Sequence, residues 1–139
     1  MPAYPRSASV AAYQSVATHG GVAAADPHRL VLMLMDGALE RIAHARGCIL
    51  NQDWAEKNRL LHAAISIVEE LRASLDLEAG GALAANLENL YDYMCRQLLR
   101  ANLQNRVELL DEVAGLLGEI RSAWVALPPE ARALRPAQR

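Results

Sequence analysis

Residues 80–103, GGALAANLENLYDYMCRQLLRANL, decide how the rest of the chain has to be arranged. Leu83, Leu87, Leu90, Met94, Leu98 and Ala101 recur at spacings of three and four, the repeat of one face of an α-helix. A stripe about six turns long must therefore be covered by other parts of the chain. Tyr91 and Asn102 fall beside that stripe, Asn86 and Tyr93 lie on its other flank, and Leu99 and Leu103 point nearly opposite. Contacts in more than one direction are expected of such a helix.

Leu77 to Gly81, ending in a glycine doublet with the backbone freedom a tight connection needs, reads as the turn before it. Trp54 to Leu75 reads as another helix, striped by Leu61, Ala64, Val68, Leu71 and Leu75 and opened by Asp53 with Glu56 three residues on. Earlier still, Asp26-Pro27 is an N-cap acceptor before the one helical position that suits proline. The helix it starts carries Leu30, Val31, Leu34, Met35, Ala38, Leu39, Ile42, Ala45 and Ile49 over about half its circumference, wider than one covered side needs. Downstream, Asn105 with Glu108 reads as a cap for a helix beginning at Arg106. Its stripe is Leu110, Val113, Leu117, Ile120, Trp124 and Leu127, with Leu109, Leu116 and Ala123 as a surplus flank, and Pro128-Pro129 stops it.

Four helices with short connections specify an all-α, antiparallel four-helix bundle. Residues 26–127 are expected to form it, 128–139 a polar tail, and 1–25 a flexible segment with a short helical or extended cap around Tyr13. A chain of 139 residues suffices for one domain with a real core, and a composition 53% hydrophobic and 22% charged excludes a disordered chain. The net charge of −2, with scattered basic groups, gives no electrostatic reason for a nucleic-acid partner. No apolar run is long enough for membrane insertion and no secretory leader is evident, so the expected location is the cytoplasm. Cys48 and Cys95 lack metal or redox spacing and read as buried small hydrophobes.

Catalytic chemistry finds little support. A di-iron bundle needs Glu-x-x-His motifs on facing helices, and there are none. Glu40 and His44 suit a surface pair, and His28 and His62 have no acid or Cys in ligand spacing. No phosphate loop or nucleophilic constellation is present, and Asp36 reads as an edge hydrogen bond or a solvated charge. What remains is apolar surface on the first and fourth helices beyond the needs of one core. Deep packing within the bundle accounts for part of it; a dimer interface, cover from the N-terminal segment, or a groove for a partner's helix accounts for the rest.

An ordered set of residues resembles the family of bacterial flagellin export chaperones, FliS: Asp26-Pro27 with Leu30, Leu34 to Ala38, Leu71 to Asp76, Gly80-Gly81 with Ala85-Asn86-Leu87, Leu90 to Met94, Ala101-Asn102, Glu112-Val113 and Trp124. The likeness runs from about Tyr13 to Leu127. The family usually has Tyr in place of Met35 and Ser in place of Asp26, and the stretch between Tyr13 and Pro27 is long here. A hydroxyl at position 35 is therefore lost, and with it any client contact that relatives make through that hydroxyl.

The resemblance implies a chaperone, not an enzyme, and no cofactor. It implies binding of the disordered C-terminal segment of flagellin, prevention of early polymerisation, and presentation to the export gate protein FlhA of the flagellar type III apparatus. The anti-sigma factor FlgM is a further implied partner, and a homodimer without client a further state. The residues expected to meet the client are Tyr13, Leu34, Asp36, Asn86, Leu90, Tyr91, Tyr93, Met94, Asn102, Leu109 and Leu116. Of these, Asn86 and Asn102 offer backbone partners, Tyr91 and Tyr93 rings with a polar tip, and Tyr13 a removable plug, with hydrogen bonds inside the bundle or passive anchoring as the plainer alternatives. Ile120 is expected in the core and Leu116 on the surplus flank. A non-catalytic helical scaffold that only self-associates is the rival reading.

Overall fold

The computed structural model describes residues 26–128, which form α1 (Pro27–Leu50), α2 (Trp54–Ala73), α3 (Leu77–Gln104) and α4 (Val107–Val125). Connections of two or three residues make successive helices antiparallel. α1 and α3 each pack on both α2 and α4, closing an up-down-up-down ring around one core. The described residues contain no strand, and the fold is the all-α bundle expected. Tyr13 and the cap expected around it lie outside the described residues.

The helix starts follow the capping chemistry, with two corrections. Asp26 Oδ1 accepts the Arg29 N–H at 3.3 Å, with Pro27 at the first helical position, and Asp53 Oδ1 accepts the Glu56 N–H at 3.5 Å. The turn expected over Leu77–Gly81 is instead the first turn of α3, because Asp76 Oδ1 accepts the Ala79 N–H at 3.0 Å and opens the helix at Leu77. Gly81 then kinks it with φ +57° and ψ −135°, backbone that a Cβ would strain. The cap expected of Asn105 for α4 falls to Arg106, which makes no side-chain cap bond. Asn105 instead ends α3 at φ 55°, left-handed backbone that asparagine tolerates, and its Oδ1 accepts a 2.7 Å hydrogen bond from Lys57 Nζ. Lys57 Nζ also donates to Asn102 O at 2.9 Å. The only lysine of the chain thus sits buried on the negative end of the α3 dipole, and burial pushes its pKa down.

Leu61, Leu98, Leu110, Leu117, Val68 and Val113 are fully enclosed, and Ala38, Ala45, Ala64 and Ala101 let the helices approach closely. Cover thins toward the end where α1 and α3 begin and α2 and α4 finish. There Val31, Leu75, Leu87, Leu90, Leu116, Ile120 and Trp124 are only half-buried. Leu83, expected in the covered stripe, is 69% exposed, and Ile120, expected in the core, lies at its edge. Ala84 and Tyr91 take the places on α3 that periodicity gave to Leu83 and Leu90.

On the outer side of α4, Gly115 and Gly118 have nothing within 4 Å of where a Cβ would stand. Gly115→Ala is therefore expected to raise stability by about 0.5–1 kcal/mol, read as a higher urea midpoint at unchanged slope.

Candidate functional site

The seam between α3 and α4 is the sparsest of the four. It is pinned near its middle by Glu112, whose Oε2 accepts from the Tyr93 hydroxyl at 2.6 Å and whose Oε1 accepts from Gln97 Nε2 at 3.0 Å. Counting back from that pin in antiparallel register sets Leu116 level with Leu90, Ile120 level with Leu87, and Ala123 level with Leu83. Ala123 is small and exposed, which is why nothing on α4 covers Leu83. Beyond the pin toward the other end, Met94, Leu98, Ala101, Leu110 and Val113 are buried. The seam is therefore shut on one side of Glu112 and open on the other, where two half-covered rows of Leu and Ile face one furrow.

The pin has an electrostatic signature. The hydrogen bond from Tyr93, then that from Gln97, holds the Glu112 carboxyl below the usual carboxylate range, and the same bond to Glu112 raises the Tyr93 phenol. A lowered carboxyl contributes stability above its ordinary range that is lost as pH falls; a raised phenol contributes stability that is lost as pH rises through its titration. The clamp is complete only between those limits. Tyr93→Phe is expected to move the Glu112 carboxyl titration upward, as read from its side-chain carbon resonance, and an unmoved titration would mean the bond does not form in solution.

At the open end α1 is tied to α4 by a reciprocal contact. His28 Nε2 lies 2.7 Å from Trp124 O, Trp124 Nε1 donates to His28 O at 3.0 Å, and the two rings stack with centroids 5.0 Å apart. The sequence offered His28 only as an unlikely metal ligand, whereas the structure makes it a buried strut.

The residues expected to meet a client are dispersed. Asn86, Leu90, Tyr93 and Leu116 share the α3–α4 side, with Asn86 exposed and the other three half-buried, and Leu109 is buried at the closed end of that seam. Leu34, Tyr91 and Met94 are in the core; Tyr91 is only 3% exposed and burial pushes its phenol up to about 12. As folded, these four buried groups can support a bound chain from beneath but do not line a surface. Asp36 is exposed between α1 and α4, where its carboxylate receives the Arg121 guanidinium, its Oδ2 at 3.4 Å from Nη2. Asn102 belongs to the α2–α3 seam, where its Nδ2 donates to Asn58 Oδ1 at 2.8 Å. Leu87 and Ile120 line the open furrow, and Gln97 and Glu112 close it at the pin, without having been singled out for either. The spacing of four between Tyr93 and Gln97 was the available signal for one shared acceptor.

The chain is similar to known proteins over nearly its whole length. The family described as flagellar protein FliS matches residues 9–131. The chain belongs to the FliS family. It is 48% identical over 112 residues to the flagellar secretion chaperone FliSB of Pseudomonas aeruginosa, covering 81% of this chain and 89% of that one. It is 42% identical over 126 residues to the flagellar secretion chaperone FliS of Salmonella typhimurium, covering 90% and 93%, and 39% identical over 100 residues to that of Bacillus subtilis, covering 72% and 74%. Membership makes this a chaperone of flagellar secretion, not an enzyme. No helix among the described residues is long and apolar enough to cross a membrane. Met35, where FliS relatives were expected to carry Tyr, is enclosed at 1% exposure and acts here as core filling.

Proposed function

We propose that this FliS-family chaperone holds the disordered C-terminal segment of a flagellin in the open half of the α3–α4 seam, in the cytoplasm, before export. The observation that supports this most directly is the one-sided loss of cover past the Glu112 pin. Leu83, Leu87 and Leu90 on one helix and Leu116 and Ile120 on the other form an apolar furrow that the fold itself leaves unfilled. An amphipathic client helix can lay its apolar face there, with Asn86 and Tyr93 at the rim for its polar groups. Ordering a disordered segment costs about 2–5 kcal/mol of the gross interaction, which keeps the complex reversible.

Sequestering that segment would prevent premature polymerisation, and release would follow docking of the complex at the FlhA gate of the type III apparatus. Tyr13 is the proposed removable plug of the same furrow, with Leu34 and Tyr91 as its inner support and Met94 and Leu109 backing the closed part of the seam. Asp36 and Asn102, on other seams, would meet a client that wraps further round. FlgM is proposed as an alternative client of this surface, and a second copy of the chain as its occupant when client is scarce.

The decisive experiment mixes the purified chain with a flagellin C-terminal peptide. A one-to-one complex with more helix than the sum of its parts is expected, together with dissociation of any homodimer as peptide is added. Absence of a complex, or a dimer indifferent to peptide, would return the chain to the self-associating scaffold reading.

A further inference from the structure

The Glu112 pin has an unused counterpart two turns further along the same seam. Glu119 stands seven residues after Glu112, so it lies on the same edge of α4, between Leu116 and Ala123. Seven residues earlier on α3, Asn86 and Leu90 take the places that Tyr93 and Gln97 hold at the pin. Antiparallel register therefore sets Glu119 opposite Asn86 and Leu90, across the open furrow, as Glu112 is set opposite Tyr93 and Gln97. The donors that complete the pin are missing here. Leu90 has none to give, and Asn86 is exposed with no side-chain hydrogen bond among the described residues.

Glu119 is itself exposed and pairs with no cation among the described residues. Neither edge of the open half supplies one. From Gly81 to Asp92 α3 has no basic residue, and past Glu112 α4 has only Arg121, whose guanidinium turns to Asp36 on α1. Arg96 and Arg100 stand at the pin or beyond it, Arg96 paired with Asp92, and Arg100 held by Gln97 Oε1 and the charge of Glu112. The open half thus combines an apolar floor with a carboxylate on one edge, an amide on the other, and no positive charge between them.

We infer that Glu119, with Asn86 opposite, selects a client helix that carries a lysine or arginine beside its apolar stripe. The inference rests on the furrow being the client groove and adds the chemistry by which it chooses. In the complex the client's cation donates to the Glu119 carboxylate and to Asn86 Oδ1. It thereby completes, across the bound helix, the bridge that Tyr93 and Gln97 complete directly at the pin. Leu83, Leu87, Leu90, Leu116 and Ile120 supply affinity to any apolar stripe, whereas a carboxylate brought to the same edge is repelled by Glu119.

Two designed 18-residue peptides, with one leucine stripe and either Lys or Glu on its flanks, serve as probes beside a flagellin C-terminal peptide. In calorimetric titrations at low salt the Lys-flanked peptide is expected to bind about fivefold tighter than the Glu-flanked one, the difference fading as salt is added. Glu119→Gln, a change at an exposed position, should cut that difference to less than about twofold at an unchanged melting temperature. Leu116→Asp should weaken both peptides. Equal affinities in the unchanged protein, a difference that survives Glu119→Gln, or binding of neither peptide would each overturn the inference. The flagellin peptide distinguishes the two levels: if it binds and is weakened by Leu116→Asp, the client groove stands and only the role of Glu119 falls. A Glu119→Gln protein altered in self-association alone would also overturn the inference and assign this edge to a second copy.

Discussion

Leu116→Asp is expected to give a folded protein that has lost flagellin binding, whereas the same change one residue on, Leu117→Asp, is expected not to fold. Leu117 is completely enclosed, and a carboxylate there has neither water nor a partner, at a cost of several kcal/mol against a total stability of about 5–15 kcal/mol. Leu116 lies half-covered at the lip of the open seam, level with Leu90, so a carboxylate can turn to solvent. What it removes is the centre of an apolar furrow. A buried anchor at such a position is worth about 2–4 kcal/mol, or roughly 30- to 1000-fold in affinity. Circular dichroism melts separate the two variants, and calorimetric titration with a flagellin C-terminal peptide reads the binding. A folded Leu116→Asp protein that binds normally would move the client to another seam.

That contrast also marks how far the sequence could be read. The three-and-four spacing on the last helix identifies Leu110, Val113 and Leu117 as core, but it assigns Ile120 to the same class. Ile120 differs only in standing opposite the thinly covered part of α3, and periodicity carries no information about what faces a stripe across a seam. Leu83 fails for the same reason. The caps at Asp26 and Asp53 were legible because their partners lie three residues away. Asn105 was not, because its partner Lys57 lies 48 positions earlier and matters only once α2 and α3 are side by side. The candidate site divides in the same way. Asn86, Leu90, Tyr93 and Leu116 were nameable from one helix at a time, while the pin that joins Tyr93 and Gln97 to Glu112, and thereby sets where the seam opens, depends on the register between two helices.

Trp124→Ala is expected to lower stability by about 2–4 kcal/mol, a drop in melting temperature of roughly 10–20 °C for a domain of this size. The indole contributes three separable things: partial burial against the core, the face-to-face contact with His28, and the Nε1–H donated to His28 O. Trp124→Phe keeps most of the first two and removes the third, so a smaller loss of about 1 kcal/mol is expected. Backbone Trp124 O remains in either variant, and His28 Nε2 retains a partner. The contact joins the first turn of α1 to the last turn of α4, the ends that bound the open side of the bundle, so its loss should also show as faster amide exchange over 120–127 than over the enclosed turns of α4. A double-mutant cycle with His28→Ala isolates the pair. A coupling near zero would mean that Trp124 acts through core burial alone, and that the width of the furrow is set by the Glu112 pin without help from this strut.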